Sequence, residues 1–112
     1  MKTKETINIL RKARKKIENG WCKDTYAKTK SGRSVDFETK EATNFCSLGA
    51  IYAVTSKLAH RGAAINALET TIAIKRTGSI NLALFNDDQK SKYPVLALFD
   101  ETIKRLKEHK ND

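Results

Sequence analysis

FCSLGAIYAV, Phe45 to Val54, lies inside the longest stretch of the chain that carries no charge. In a small, strongly charged protein such a run belongs in the core. Read as a helix over residues 39–58, it places Ala42, Cys46, Gly49, Ala50 and Ala53 on one stripe at spacings of three and four. Phe45, Leu48, Ile51, Tyr52 and Val54 cover most of the remaining circumference. A helix that is apolar nearly all round is buried. The small residues let a neighbouring backbone approach closely, and the bulky ones fill the space beyond. The expected architecture is mainly α: a compact bundle of three to four helices around this central helix, with a small β-hairpin packed on one side.

The rest of the composition sets bounds on that picture. The 112 residues are the size of one domain, 1–112. With 39% hydrophobic and 31% charged residues, the balance is that of a soluble globular chain. No segment approaches the roughly 20 apolar residues that span a bilayer. The start, MKTKETINILRKARKK, has no apolar signal core. The expected location is therefore the cytoplasm. The formal net charge is +9, an excess that attracts phosphates or acidic proteins. Two cysteines are too few for a disulfide framework, and in a reducing compartment they stay thiols.

Outward from the central run, residues 3–18 read as a first helix. Ile7, Leu10, Ala13 and Ile17 form its apolar stripe, Arg11, Lys12, Lys15 and Lys16 face away, Thr3 or Thr6 can cap the start, and Gly20 can supply a left-handed end. Such a basic face can meet a phosphate backbone; it lacks the bulky aromatic residues that would favour a membrane. Residues 21–37 are strand-friendly, with Thr25–Lys30 and Arg33–Phe37 pairing across Ser31-Gly32 and Trp21 as the expected anchor. Asp36 or Thr39 starts the central helix, and Ala59-His60-Arg61-Gly62 follows it as a connector. A third helix is expected over 63–75, although Thr71-Ile72-Ala73-Ile74 alternates as a strand would, and Gly78 breaks it. Residues 79–85 lean to helix with Ser79 as cap, and 86–90 read as a polar loop. A last helix over 92–108 has Ser91 as cap and Pro94 in its first turn. Val95, Leu96, Phe99, Ile103 and Leu106 form its stripe, and Lys104, Arg105, Lys107 and Lys110 gather near its end.

Three patterns recur in a familiar order: Gly20-Trp21-Cys22; Phe45-Cys46-Ser47-Leu48-Gly49-Ala50; and Phe85-Asn86-Asp87 followed by Val95-Leu96-Ala97-Leu98-Phe99-Asp100 and Ile103. Together they resemble a family of small bacterial and phage proteins, domain of unknown function 6197, with Gly32 matching its hairpin glycine. The resemblance runs from Asn19 to Leu106. Phe85 stands where the family often has Trp. What it implies is membership and a bacterial or phage source, with the host cytoplasm as location if phage-encoded; it implies no mechanism.

Several constellations are candidates for chemistry. Cys22 and Cys46 become neighbours if the hairpin folds back on the central helix, but a reactive thiolate needs a lowered pKa. By the boundary drawn above, Cys46 lies about two turns into its helix, too deep for much help from the dipole. Neither His60 nor His109 sits in a motif with them. Two cysteines and two scattered histidines lack zinc spacing, and no cofactor or metal site is expected. Asn86, Asp87 and Asp88 offer oxygens for a cation, and also ordinary turn chemistry. Asp36 and Asp87 form a carboxylate pair only if the fold unites them. Arg33, with Trp21 and Tyr26 near it in sequence, can combine a cation with stacking rings. The ligand-binding candidates are thus Trp21, Cys22, Arg33, Cys46, Asn86 and Asp87, with no catalytic set among them.

The leading functional expectation is a non-catalytic binding protein that engages an anionic partner: nucleic acid, a nucleotide or an acidic protein face. With a phage source this extends to inhibition of a host system. No helix-turn-helix, RNP or zinc-finger pattern supports sequence-specific reading. The alternatives are a small enzyme using the two cysteines with Asp36 and Asp87, and a homo-oligomeric module in which the small-residue stripe packs against its own copy.

Overall fold

The computed structural model describes residues 3–76 and 79–109, so the expected break at Gly78 and the terminal cation Lys110 lie outside it. The elements in order are α1 (Thr3–Asn19), β1 (Ala27–Lys28), β2 (Ser34–Val35), β3 (Asn44–Phe45), α2 (Ser47–Val54), α3 (Leu58–Lys75), α4 (Leu82–Asp87) and α5 (Tyr93–Glu108). The fold is mainly helical, with one small antiparallel sheet of order β2-β1-β3.

The amphipathic end helices follow their sequence patterns. In α1 the buried face is Ile7, Ile9, Leu10, Ala13 and Ile17; in α5 it is Val95, Leu96, Leu98, Phe99, Thr102 and Ile103. The two helices pack on each other and are tied by Arg14, whose Nε and Nη2 donate to the two Asp100 carboxylate oxygens at 2.6 and 3.1 Å. Pro94 sits in the first turn of α5; Ser91 is not its cap, since the cap position is Lys92 and no side chain bonds there.

The hairpin pairs Ala27 with Val35 and Lys28 with Ser34. Gly32 takes φ 95° in its turn, a left-handed value that suits glycine. The expected central helix over 39–58 is corrected to eight residues, 47–54. Residues 36–43 form turns instead, with Thr39 N donating to Asp36 O and Ala42 N to Thr39 O. Asn44–Phe45 then join the sheet on the free side of β1. Thr43 N donates to Lys28 O, Phe45 N to Gly20 O, and Cys46 N to Tyr26 O. These partners lie far away in sequence, and they consume the backbone groups that a longer helix would have used. What survives of the expectation is burial: no residue of α2 is exposed.

Other boundaries shift for local reasons. The third helix starts at Leu58, not 63, because Gly62 falls on an exposed side of α3 where nothing interrupts the helix. Thr71 to Ile74 are helical within it. Asn86 and Asp87 belong to α4, whose cap is Asn81 rather than Ser79: Asn81 Oδ1 accepts from Leu84 N at 3.1 Å. Gly20 is not left-handed. Its role is close approach, since a Cβ there would stand 2.3 Å from Thr43 O.

The small stripe of α2 packs inside the same chain. Ala50 is fully buried, and a Cβ on Gly49 would lie 2.0 Å from Tyr26 O. Gly49→Ala must therefore push the Tyr26 backbone, just before β1, off α2, at an expected cost of about 1–3 kcal/mol in urea unfolding. Gly62→Ala meets nothing within 4 Å and should stabilise α3 by about 0.5–1 kcal/mol. Equal effects of the two substitutions would contradict this packing.

Candidate functional site

The three sequence patterns meet at the side chain of Asn86, which is fully buried. Its Oδ1 accepts from Trp21 Nε1 at 3.0 Å, from Ser47 N at 3.0 Å and from Ser47 Oγ at 2.8 Å. Its Nδ2 donates to Cys22 O and to Asp87 Oδ1, both at 3.2 Å. Asp87 Oδ1 in turn accepts from Asp24 N at 2.9 Å, holding Asp24 in a left-handed conformation with φ 70°. One amide thus joins the Trp21-Cys22 segment, the start of α2 and the end of α4.

The start of α2 needs such partners. Its first backbone N–H groups have no acceptor within the helix. Asn86 takes that of Ser47, and Cys46, which is the N-cap rather than a mid-helix residue, takes that of Gly49 on Sγ at 3.2 Å. Cys22 lies alongside, because Trp21 and Phe45 form a parallel bridge. Both cysteines are free and buried. Burial raises the Cys46 pKa more than the N–H groups of Gly49 and Leu48 lower it. Burial first, and then Cys46, push the Cys22 thiol up to about 12, with Lys28 offsetting only part of the rise. The arrangement favours neutral thiols, the opposite of what an activated nucleophile needs.

A groove of about 220 Å³ runs beside this cluster, and Cys46 and Asp87 reach its wall with Asp24 and Tyr26. Trp21, Cys22 and Asn86 are not among its lining residues. Arg33 is not brought to the cluster: it is exposed beside the hairpin turn, 3.6 Å from Glu41. Asp36 is engaged in a turn, accepting from Glu38 N at 3.0 Å. His60 Nε2 lies 3.9 Å from Glu5, Asp88 ends α4 and His109 ends α5. Among the described residues, no three His, Cys, Asp or Glu side chains converge as a metal-holding group.

The basic face of α1 divides. Arg11 and Arg14 line a groove of about 660 Å³ against Lys104 and Lys107 of α5. Lys12 is exposed, Lys15 lies 3.6 Å from Glu18, and Lys16 turns the other way, its Nζ 4.9 Å from the centre of the Phe45 ring. Tyr26 does take part in an aromatic cluster, stacked on Tyr52 at 5.6 Å with Phe37 edge-on to both. The cation over that cluster is Arg61, 4.5 Å from the Tyr52 ring, and not Arg33. The sequence reading placed Arg61 in a connector; the signal available was an arginine between two apolar runs, which is weak.

A family model described as a family of unknown function (DUF6197) matches residues 1–105, and the chain belongs to that family. No curated protein and no solved structure matches it.

Two outcomes follow from the site. Asn86→Ala strips the acceptor from Trp21 and Ser47 and should cost about 3 kcal/mol or more in denaturant unfolding, since each stranded buried group costs about 1–3 kcal/mol. A cost below about 1 kcal/mol would contradict the hub role. The thiols give a pH signature. Because the folded Cys22 pKa is raised above its ordinary 9.0, the neutral thiol contributes stability that is intact below that value and is lost as pH rises toward about 12. At neutral pH the native protein should react with an aromatic disulfide reagent at least about a hundredfold slower than the urea-unfolded chain.

Proposed function

We propose that this member of the family is a non-catalytic binding protein that holds the phosphate backbone of a nucleic acid along the face shared by α1 and α5. The observation that carries this reading is the side-by-side packing of those helices, which collects Arg11, Lys104 and Lys107 around one open groove. None of the ion pairs among the described residues uses these three cations. Arg14, in the same wall, is committed to Asp100, and Asp100 and Glu108 are the carboxylates at the groove.

Cations of this kind bind polyanions by releasing condensed counterions, independently of base sequence. Two exposed helix flanks with Lys and Arg supply contacts of that type and no base-reading element. The competing thiol-enzyme reading is weakened by the burial and raised pKa of both cysteines. The oligomer reading is weakened, because Cys46, Gly49 and Ala50 of the stripe are buried within the chain, with Gly49 against the Tyr26 backbone, and only Ala42 and Ala53 are half-exposed. No helix among the described residues is long and apolar enough to cross a membrane.

The test is fluorescence anisotropy with labelled single-stranded and duplex oligonucleotides across a salt series. Log affinity should fall linearly with log salt concentration. A variant combining Arg11→Gln, Lys104→Gln and Lys107→Gln should reduce the slope by about two to three, given roughly 0.7–0.9 per phosphate contact, with an unchanged melting temperature. Absence of binding at low salt, or a slope unaffected by the triple substitution, would sink the proposal.

A further inference from the structure

On another side of the molecule, α2 ends against Arg61. The Arg61 Nε donates to Thr55 O at 2.8 Å and Nη2 to Tyr52 O at 3.1 Å, closing the carbonyl end of the helix. The guanidinium also lies over two rings, 4.5 Å from the centre of Tyr52 and 5.7 Å from that of Phe37. Tyr26 stacks on Tyr52 at 5.6 Å. The result is a cationic plane backed by aromatic rings.

That plane forms part of the wall of a groove of about 520 Å³, lined also by Phe37, Phe45, Tyr52, Glu38 and, from α1, Lys16. Small-molecule sites occupy roughly 300–1,000 Å³. Capping a helix end accounts for two donors of Arg61. It does not account for Nη1, which has no partner among the described residues, or for a second cation on the same groove. Neither Lys16 nor Arg61 takes part in any ion pair among the described residues, and Glu38 is the one carboxylate among the groove's lining residues.

We infer that this groove is a binding site for a nucleoside monophosphate. A stacked guanidinium offers a flat surface and a charge together, which suits a planar ring carrying an anion. Lys16 Nζ and the free Arg61 nitrogen take the phosphate. The base lies on the Arg61–Phe37 surface, and Glu38 accepts from the ribose hydroxyls. A bare phosphate would leave the aromatic surface unused, and a neutral ring would leave both cations unused. The site shares no lining residue with the α1–α5 groove, and the inference does not rest on the polyanion reading.

The experiment titrates the native protein with AMP and with UMP by calorimetry and by amide chemical-shift mapping, with adenosine and inorganic phosphate as separate arms. Saturable binding of a monophosphate is expected, with shifts at Phe37, Tyr52 and Thr55. Adenosine and phosphate alone should each bind at least about tenfold more weakly, a factor of ten being 1.4 kcal/mol. Lys16→Gln should weaken AMP at least about tenfold while the protein stays folded, its melting temperature falling by no more than the few degrees that loss of the Phe45 contact brings. The Arg11, Lys104 and Lys107 triple variant should bind AMP as the parent does. No saturation by either nucleotide, phosphate binding as well as AMP, an unaffected Lys16→Gln, or shifts confined to the α1–α5 groove would each overturn the assignment. The triple variant separates this failure from failure of the oligonucleotide reading.

Discussion

A single buried carboxamide holds the arrangement together. Asn86 offers one acceptor oxygen and one donor nitrogen, and the protein uses both fully, across three chain segments. A buried polar group is tolerable when its partners are in place and expensive when they are not. The cost of misplacing α4 is therefore paid at the start of α2 and at Trp21 as well. Among the described residues no buried side-chain nitrogen or oxygen lacks a partner. Such a network selects one packing among many that would bury similar apolar area, and it explains why a helix of only eight residues can occupy the centre. Alone, a helix that short would be marginal; here its first N–H groups are received by Asn86 and Cys46 before tertiary packing is counted.

How much of this could be read in the sequence depended on how local the cause was. α1 and α5 were legible because their apolar stripes repeat at helical spacing over many turns, and packing against each other respects those stripes. The central segment was legible in its burial but not in its length. An uncharged run is compatible with a strand followed by a helix, and the choice between them lies with Gly20, Tyr26 and Lys28, whose backbone groups bond to residues 43–46. Periodicity within a window contains no term for a partner some twenty positions away. The same holds for Gly62, where a local breaker was overruled by a helix that continues past it on an exposed face.

The candidate site divides along similar lines. Trp21, Cys22, Cys46, Asn86 and Asp87 converge, but the convergence is mostly an interior one: the indole N–H and the Cys22 carbonyl both bond to the Asn86 amide. Arg33 is near Trp21 and Tyr26 in sequence, but its side chain is exposed at the hairpin turn and meets Glu41 instead. The aromatic and cationic pairing exists instead at Arg61, Tyr52 and Phe37, assembled from three segments. Neither ring nor guanidinium has a local pattern that announces the others.

This division bears on where recognition can lie. The three ordered patterns of the sequence build the interior, and an amide whose hydrogen bonds are complete has nothing left to offer a ligand. A nucleophile in the same place would need to be easily ionised, and burial works against that at both thiols, including Cys46 at the groove wall. In the readings proposed above partners meet the exterior, where charge is set by residues outside the motifs: Arg11, Lys104 and Lys107 on one side, Lys16 and Arg61 on another. Arg11, Lys104 and Lys107 can change without disturbing Asn86, because none of them contributes to its network. The charges of Arg11, Lys104 and Lys107 are thus separable from the interior, whereas Arg61 is not, because the carbonyl end of α2 rests on its guanidinium.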